Sequence, residues 1–146
     1  MDTNLVIYCG VTLLILYTLA EQIAPGPRVS VIDGCRLGYV YDGDTVELMC
    51  PDRKRTARLV GFDTPETKNP GCAAEKALGD RATARLRQIV GGASISFQHK
   101  GHDKYGRELV RMFANGRDVG QVLIGEGLAV RYYGGSRINW CKRLNR

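Results

Sequence analysis

Residues 41–67 read YDGDTVELMCPDRKRTARLVGFDTPET. Residues 45–50 and 55–62 are β-like runs separated by a polar turn, Pro51–Asp52–Arg53–Lys54. Strand, turn and strand make a hairpin. Asp44 opens its first strand and Asp63 closes its second. In an antiparallel pair, positions equidistant from the turn face each other, and 44 and 63 straddle a turn centred near residue 53. Both carboxylates are therefore expected at one end of the hairpin, within reach of one ion. Two bare carboxylates that close repel each other. A hard cation relieves the repulsion, and oxygen ligands suit Ca²⁺ or Mg²⁺. The competing reading is two unrelated turn aspartates, each bonded to local backbone.

The residues around the pair extend the chemistry. Pro65 stiffens the chain just past Asp63 and presents Glu66 beside the same point, where a carboxylate can take a proton from attacking water. Arg58 and Arg107 supply guanidinium forks for negative charge on phosphate oxygens. Arg58 and Asp63 are an odd number of residues apart, so a straight strand puts them on opposite faces. A bend or bulge at Gly61 is required to bring them together. His99 and His102 have no partner in the local pattern and read as loop surface. Tyr132 and Tyr133, beside Arg131, are suited to stacking on bases or ribose.

Outward from the hairpin, residues 35–41 form a further strand, broken from the next by Asp42–Gly43–Asp44. Residues 72–90 carry Leu78, Ala82, Leu86, Ile89 and Val90 at helical spacing with a charged opposite face, closed by Gly91–Gly92. Residues 93–98 and 107–113 read as strands, the second ending at Asn115–Gly116. Residues 119–126 read as a short helix capped by Asp118 and followed by Gly127, and residues 128–133 are extended. The order is three strands, a helix, two strands, a short helix and a tail. That pattern fits a mainly β chain with helices, an α+β fold built on a small barrel.

The chain has 146 residues and a net charge of +6. All 21 Lys and Arg lie from Arg28 onward, against 13 of the 15 acids, so this part carries +8. Such a balance favours polyanions: nucleic acid or an anionic surface. The five cysteines show no CxxC, which argues against a zinc site. Residues 3–20 are uncharged and mostly apolar, and residues 24–27 hold two prolines and a glycine. The chain is thus divided into a hydrophobic helix at residues 1–20, an anchor or signal segment, then a linker at 21–30 and a folded domain at 31–146. This division implies membrane contact through residues 3–20 if they are uncleaved. The domain is expected outside the cell or in the periplasm, or secreted after cleavage near Ala20; the competing reading, from Arg28 as the nearest basic residue, is a cytosolic body.

Four segments carry a resemblance to the staphylococcal (micrococcal) nuclease family: residues 41–48, 57–67, 103–107 and 127–129, in the family's order and spacing, within residues 36–133. The resemblance implies a five-stranded OB-fold barrel and a Ca²⁺ held by Asp44, Asp63 and the main-chain carbonyl of Thr64. It implies Glu66 as general base and Arg58 and Arg107 as phosphate clamps. Lys104 and Tyr105 match positions near bound phosphate, and Tyr132 or Tyr133 resembles a nucleotide-stacking tyrosine. The implied activity is Ca²⁺-dependent hydrolysis of DNA and RNA by a monomer, leaving 3′-phosphates. The chain departs from the staphylococcal enzyme in lacking its long C-terminal helix. Cysteines at 72 and 141 resemble a bacterial subgroup, which suggests a Cys72–Cys141 disulfide holding the tail. The competing pair is Cys35–Cys50, about equally far from the first hairpin's turn. Two other functional readings stand beside the nuclease: a non-catalytic OB-fold nucleic-acid-binding module, and a tethered domain whose charge serves lipid headgroups.

Overall fold

A computed structural model describes residues 3–23, 32 and 34–145. The elements are α1 (Thr3–Ile23), β1 (Arg36–Val40), β2 (Thr45–Met49), β3 (Lys54–Leu59), β4 (Gly61–Asp63) and α2 (Ala73–Val90). They continue as β5 (Ile95–His102), β6 (Glu108–Ala114), β7 (Arg117–Asp118), α3 (Val119–Gly125), β8 (Val130–Tyr132) and α4 (Trp140–Leu144).

The main sheet runs β1-β2-β3-β6-β5, with β7 added to β6, while β4 and β8 form a separate two-stranded sheet. All pairings are antiparallel except β3 with β6. The result is a curled half-barrel with helices, the OB-like α+β fold expected. Period-two alternation explains which face is inside. Val46 and Leu48 on β2, Ala57 and Leu59 on β3, and Val110, Met112 and Ala114 on β6 are buried in one core. On α2 the helical-period residues Ala82 and Leu86 close over it. The Asp118 side chain accepts from the Gly120 and Gln121 amides, so α3 is capped as its sequence indicates.

Three expectations need correction. The strand expected over residues 55–62 is two strands. Gly61 has φ +96°, a conformation that other residues adopt only at a cost, and the chain turns there to leave β3 and pair with β8. The hairpin register is also different. Met49 pairs Lys54 and Thr45 pairs Arg58, so the turn is centred nearer 51.5 than 53, and Asp44 lies level with Leu59, whose amide it binds at 2.7 Å. Finally, α1 extends over residues 3–23, but among the described residues no helix is long and apolar enough to cross a membrane. Asn4, Thr12, Thr18, Glu21 and Gln22 dilute its apolar run. The localisation drawn from that segment is corrected accordingly: the helix gives no support to membrane anchoring. The expected linker lies, from residue 24 to 30, outside the described residues.

The two disulfides expected as alternatives both form. Cys35–Cys50 joins β1 to the end of β2, and Cys72–Cys141 joins the start of α2 to α4. The tail is therefore not a loose stub. It ends in a short helix capped by Asn139, whose side chain accepts from the Lys142 amide.

Candidate active site

The break at Gly61 does what the hairpin register does not. It folds residues 61–64 back toward the start of β2. Arg58 Nη2 then lies 3.1 Å from an Asp44 oxygen and 3.1 Å from an Asp63 oxygen. Two carboxylates that share one nitrogen surround a point that attracts positive charge. The Thr64 amide donates to the same Asp44 oxygen at 3.3 Å, and Gly43 packs so closely on Thr64 that a Cβ would sit 2.8 Å from its methyl. The Asp42–Gly43–Asp44 turn and the Asp63–Thr64–Pro65 segment are thus locked face to face.

Both aspartates are deeply buried, Asp63 fully. A carboxylate out of water must be paired. Burial pushes the Asp44 carboxyl up to about 6, against the pull of Arg58. Asp63 gathers three donors: Arg58 at 3.1 Å, Arg137 Nε at 2.6 Å and the Trp140 indole N–H at 3.0 Å.

Arg137 and Trp140 are site residues that the sequence reading does not find. The Arg137 guanidinium spans Asp63, Glu66 and the Thr64 carbonyl, the last at 3.0 Å. Burial alone would lower its pKa, but the bonds to Glu66 and Asp63 outweigh that and raise it. The only sequence signal for this arrangement is the Cys72–Cys141 pair, which returns the tail to the segment that carries Glu66. Glu75 is a third such residue. Buried on α2, it accepts from the Gly71 amide at 2.7 Å and from the Glu66 amide at 3.3 Å, and so holds the Glu66 loop against the helix.

The remaining expected residues lie beside this cluster rather than in it. Arg58, Lys104, Tyr105, Arg107, Tyr132 and Tyr133 line one cavity of about 620 Å³. Arg107 makes no hydrogen bond to Asp44, Asp63 or Glu66; its Nε donates to Asp103 at 2.7 Å, and the residue lines the cavity. Tyr105 and Tyr133 are mostly exposed, while the Tyr132 hydroxyl donates to the Gly135 carbonyl at 2.6 Å. Tyr132 pairs with Gly61 across β4 and β8, so the same glycine sets both the carboxylate cluster and a tyrosine at the cavity wall.

The donor set suits a hard cation: two carboxylates and a carbonyl, all oxygen, with no sulfur or imidazole among them. Glu66 stands at the edge of this group, linked to it through Arg137. His99 and His102 are not free loop residues. The Nε2 atom of each contacts Glu108 Oε2, at 2.8 and 3.0 Å.

A carboxylate cluster thus stands beside an arginine-lined cavity on the edge of an OB-like half-barrel. The family model for the staphylococcal nuclease homologue matches residues 56–142, and the chain belongs to that family. It is 36% identical over 119 residues to endonuclease YncB of Bacillus subtilis (strain 168), covering 77% of this chain and 56% of that protein. It is 35% identical over 96 residues to the SPbeta prophage-derived endonuclease YokF of the same organism, covering 64% of this chain and 32% of that protein. An uncharacterized endonuclease of Escherichia coli O157:H7 is 32% identical over 98 residues, covering 66% of this chain and 60% of that protein. The chain thus spans about a third to three-fifths of these relatives. Family and relatives together support a nuclease.

Proposed function

We infer that the chain is a Ca²⁺-dependent nuclease that hydrolyses phosphodiester bonds in DNA and RNA and leaves 3′-phosphates. The observation that carries this reading is the single Arg58 nitrogen 3.1 Å from both Asp44 and Asp63. It marks a spot where buried carboxylates converge on positive charge at the rim of a basic cavity. Asp44, Asp63 and the Thr64 carbonyl are the groups that would hold the ion. Bound there, it would supply Lewis-acid stabilisation of the phosphate.

The chain's own residues supply the rest. Arg58 and Arg107 both line the cavity and meet charge that builds on the non-bridging oxygens. Glu66 takes the proton of the attacking water, and Arg137 and Glu75 hold it in place. Lys104 and Tyr105 lie on the loop beside Arg107 and face flanking phosphates, while Tyr132 and Tyr133 offer rings to the nucleotide. The domain acts as a monomer and occupies residues 31–146.

Digestion of plasmid DNA or RNA tests this. Cleavage is expected with Ca²⁺ and lost in EGTA. Glu66→Gln is expected to lower the rate by about 10²–10⁴-fold, the usual worth of a positioned base. Substrate loss that is unchanged by chelation would overturn the metal assignment.

A further inference from the structure

We propose a second metal site, for a divalent transition ion such as Zn²⁺ or Co²⁺, formed by His99, His102 and Glu108. It rests on none of the groups assigned above to calcium.

A regular strand would put His99 and His102 on opposite faces, because they are three residues apart. The pairing of β5 with β6 shows why they are not. His99 pairs Val110, Gly101 pairs Leu109 and His102 pairs Glu108, so Lys100 is an extra residue. This bulge flips the alternation once, with Gly101 at φ +119°. Both imidazoles then join the inward-facing row of β6 (Glu108, Val110, Met112, Ala114) at its open end. Glu108 is buried, His99 half-buried and His102 exposed, which gives the site an inner carboxylate and an outer entrance.

The ligand atoms already converge. Each residue offers one, all within 4.8 Å of one another, and Glu108 Oε2 is 2.8 Å from His99 Nε2 and 3.0 Å from His102 Nε2. Tetrahedral ligation at about 2.1 Å puts donor atoms roughly 3.4 Å apart, so each imidazole nitrogen need move from Glu108 Oε2 by only about half an ångström. The other carboxylate oxygen is held by Arg55 at 2.9 Å, which fixes the plane of Glu108 as an outer partner does for a metal ligand. Arg55 does not cancel the site's charge, because Asp52 binds it in turn at 2.7 Å. Asp52, Arg55 and Glu108 together leave one net negative charge beside the two imidazoles. Two histidines and one carboxylate with open positions select borderline transition ions over Ca²⁺.

The site has a use in this fold. His102 and Glu108 are the residues that flank the loop 103–107, which carries Lys104, Tyr105 and Arg107 to the cavity. Glu108 and Leu109 point to opposite sides of β6, so the ion would sit off the cavity side and clamp the base of the loop.

The test uses the tag-free full chain with Cys9→Ser, since Cys9 is a free thiol. Co²⁺ alone is titrated and followed by its visible absorption and by calorimetry. One equivalent is expected at micromolar affinity, weakened at least tenfold in His102→Ala and His99→Ala and unchanged in Glu66→Gln. His102 is exposed, so its loss leaves the fold intact. Amide exchange in residues 103–107 is expected to slow with Zn²⁺ in the parent chain but not in His102→Ala. No binding below 1 mM (roughly the weak limit of affinity), or binding that survives both histidine substitutions, would overturn the site. Binding without protection of residues 103–107 would overturn its link to the loop.

Discussion

Replacing Cys72 and Cys141 by serine removes the crosslink that ties the tail to α2. The two cysteines are 69 residues apart in sequence. On the chain-entropy account, closing a loop of that length is worth about 4 kcal/mol, against about 3 for the 15-residue separation of Cys35–Cys50. The more telling effect is local. Without the bond the tail is held by the Trp140 and Arg137 contacts and by burial of the indole, which is 3% exposed. Trp140 is the only tryptophan in the chain, so its fluorescence reports the tail alone. In urea, the double variant is expected to lose up to about 4 kcal/mol, and its tryptophan emission is expected to shift before the far-ultraviolet dichroism falls. In the parent chain the two transitions are expected to coincide. Substituting Cys35 and Cys50 instead is expected to move both probes together. Coincident transitions in the Cys72→Ser/Cys141→Ser chain, with stability within about 1 kcal/mol of the parent, would refute the claim that this disulfide seats the tail on the site.

Asp44 predicts a pH dependence. Burial raises its folded pKa to about 6 from an unfolded value of 3.8, so the metal-free folded state binds its proton more tightly than the unfolded one. Its contribution is therefore full below pH 3.8 and declines as pH rises to about 6, by up to about 3 kcal/mol. Because proton and cation compete for the same oxygens, calorimetric Ca²⁺ affinity is expected to fall as pH drops through 6; a flat profile from pH 7.5 to 5 would contradict the assignment. Gly79→Ala puts a Cβ 2.7 Å from the Pro65 carbonyl oxygen and 2.9 Å from the Thr67 methyl, pushing α2 off the Glu66 loop. A net loss of about 1–2 kcal/mol in urea is expected despite alanine's better helix propensity, and a stabilised variant would show that the contact gives way freely. Arg137→Gln removes a guanidinium from Asp63, Glu66 and the Thr64 carbonyl. The metal-free variant is expected to melt lower, and added Ca²⁺ to raise its Tm by more than it raises the parent's. Equal gains would show that Arg137 does not share oxygens with the ion.

Local pattern made most of the framework legible. Alternation gave β2 and β3, helical spacing gave α2, and Asp118 and Gly127 bracketed α3. The carboxylate pair was legible too, but for a reason that needs revision. Asp44 and Asp63 do not face each other across the hairpin; the chain turns at Gly61, and residues 61–64 return to Asp44. The odd spacing of Arg58 and Asp63 was the sequence's sign of that turn. Arg137 lies 74 residues from Asp63 and 71 from Glu66, and no periodicity encodes a contact of that range. The contact of His99 and His102 with Glu108 escapes the local pattern for the opposite reason, although His102 is surface-exposed as expected. Their partner is close in sequence, but a one-residue bulge inverts their face, and only Gly101 hints at it.

The site also explains why so small a domain carries two crosslinks. Asp44, Asp63, Glu75 and Glu108 are all buried, and each buried carboxylate costs desolvation that its partners offset only in part. Asp63 needs contacts from β3, from the tail loop and from α4 to be satisfied. β3 is fixed by Ala57 and Leu59 in the core, whereas among the described residues the buried anchor of the tail and α4 is Trp140. A site built from such parts would open readily if the tail were free, leaving Asp63 without Arg137 and Trp140 and Glu66 without the guanidinium that orients it. The disulfide at the start of α2 removes that freedom at the point where Glu75 grips the Glu66 loop. Crosslink and carboxylate cluster therefore stand or fall together: the chemistry requires buried charge, and buried charge requires a tail that cannot leave.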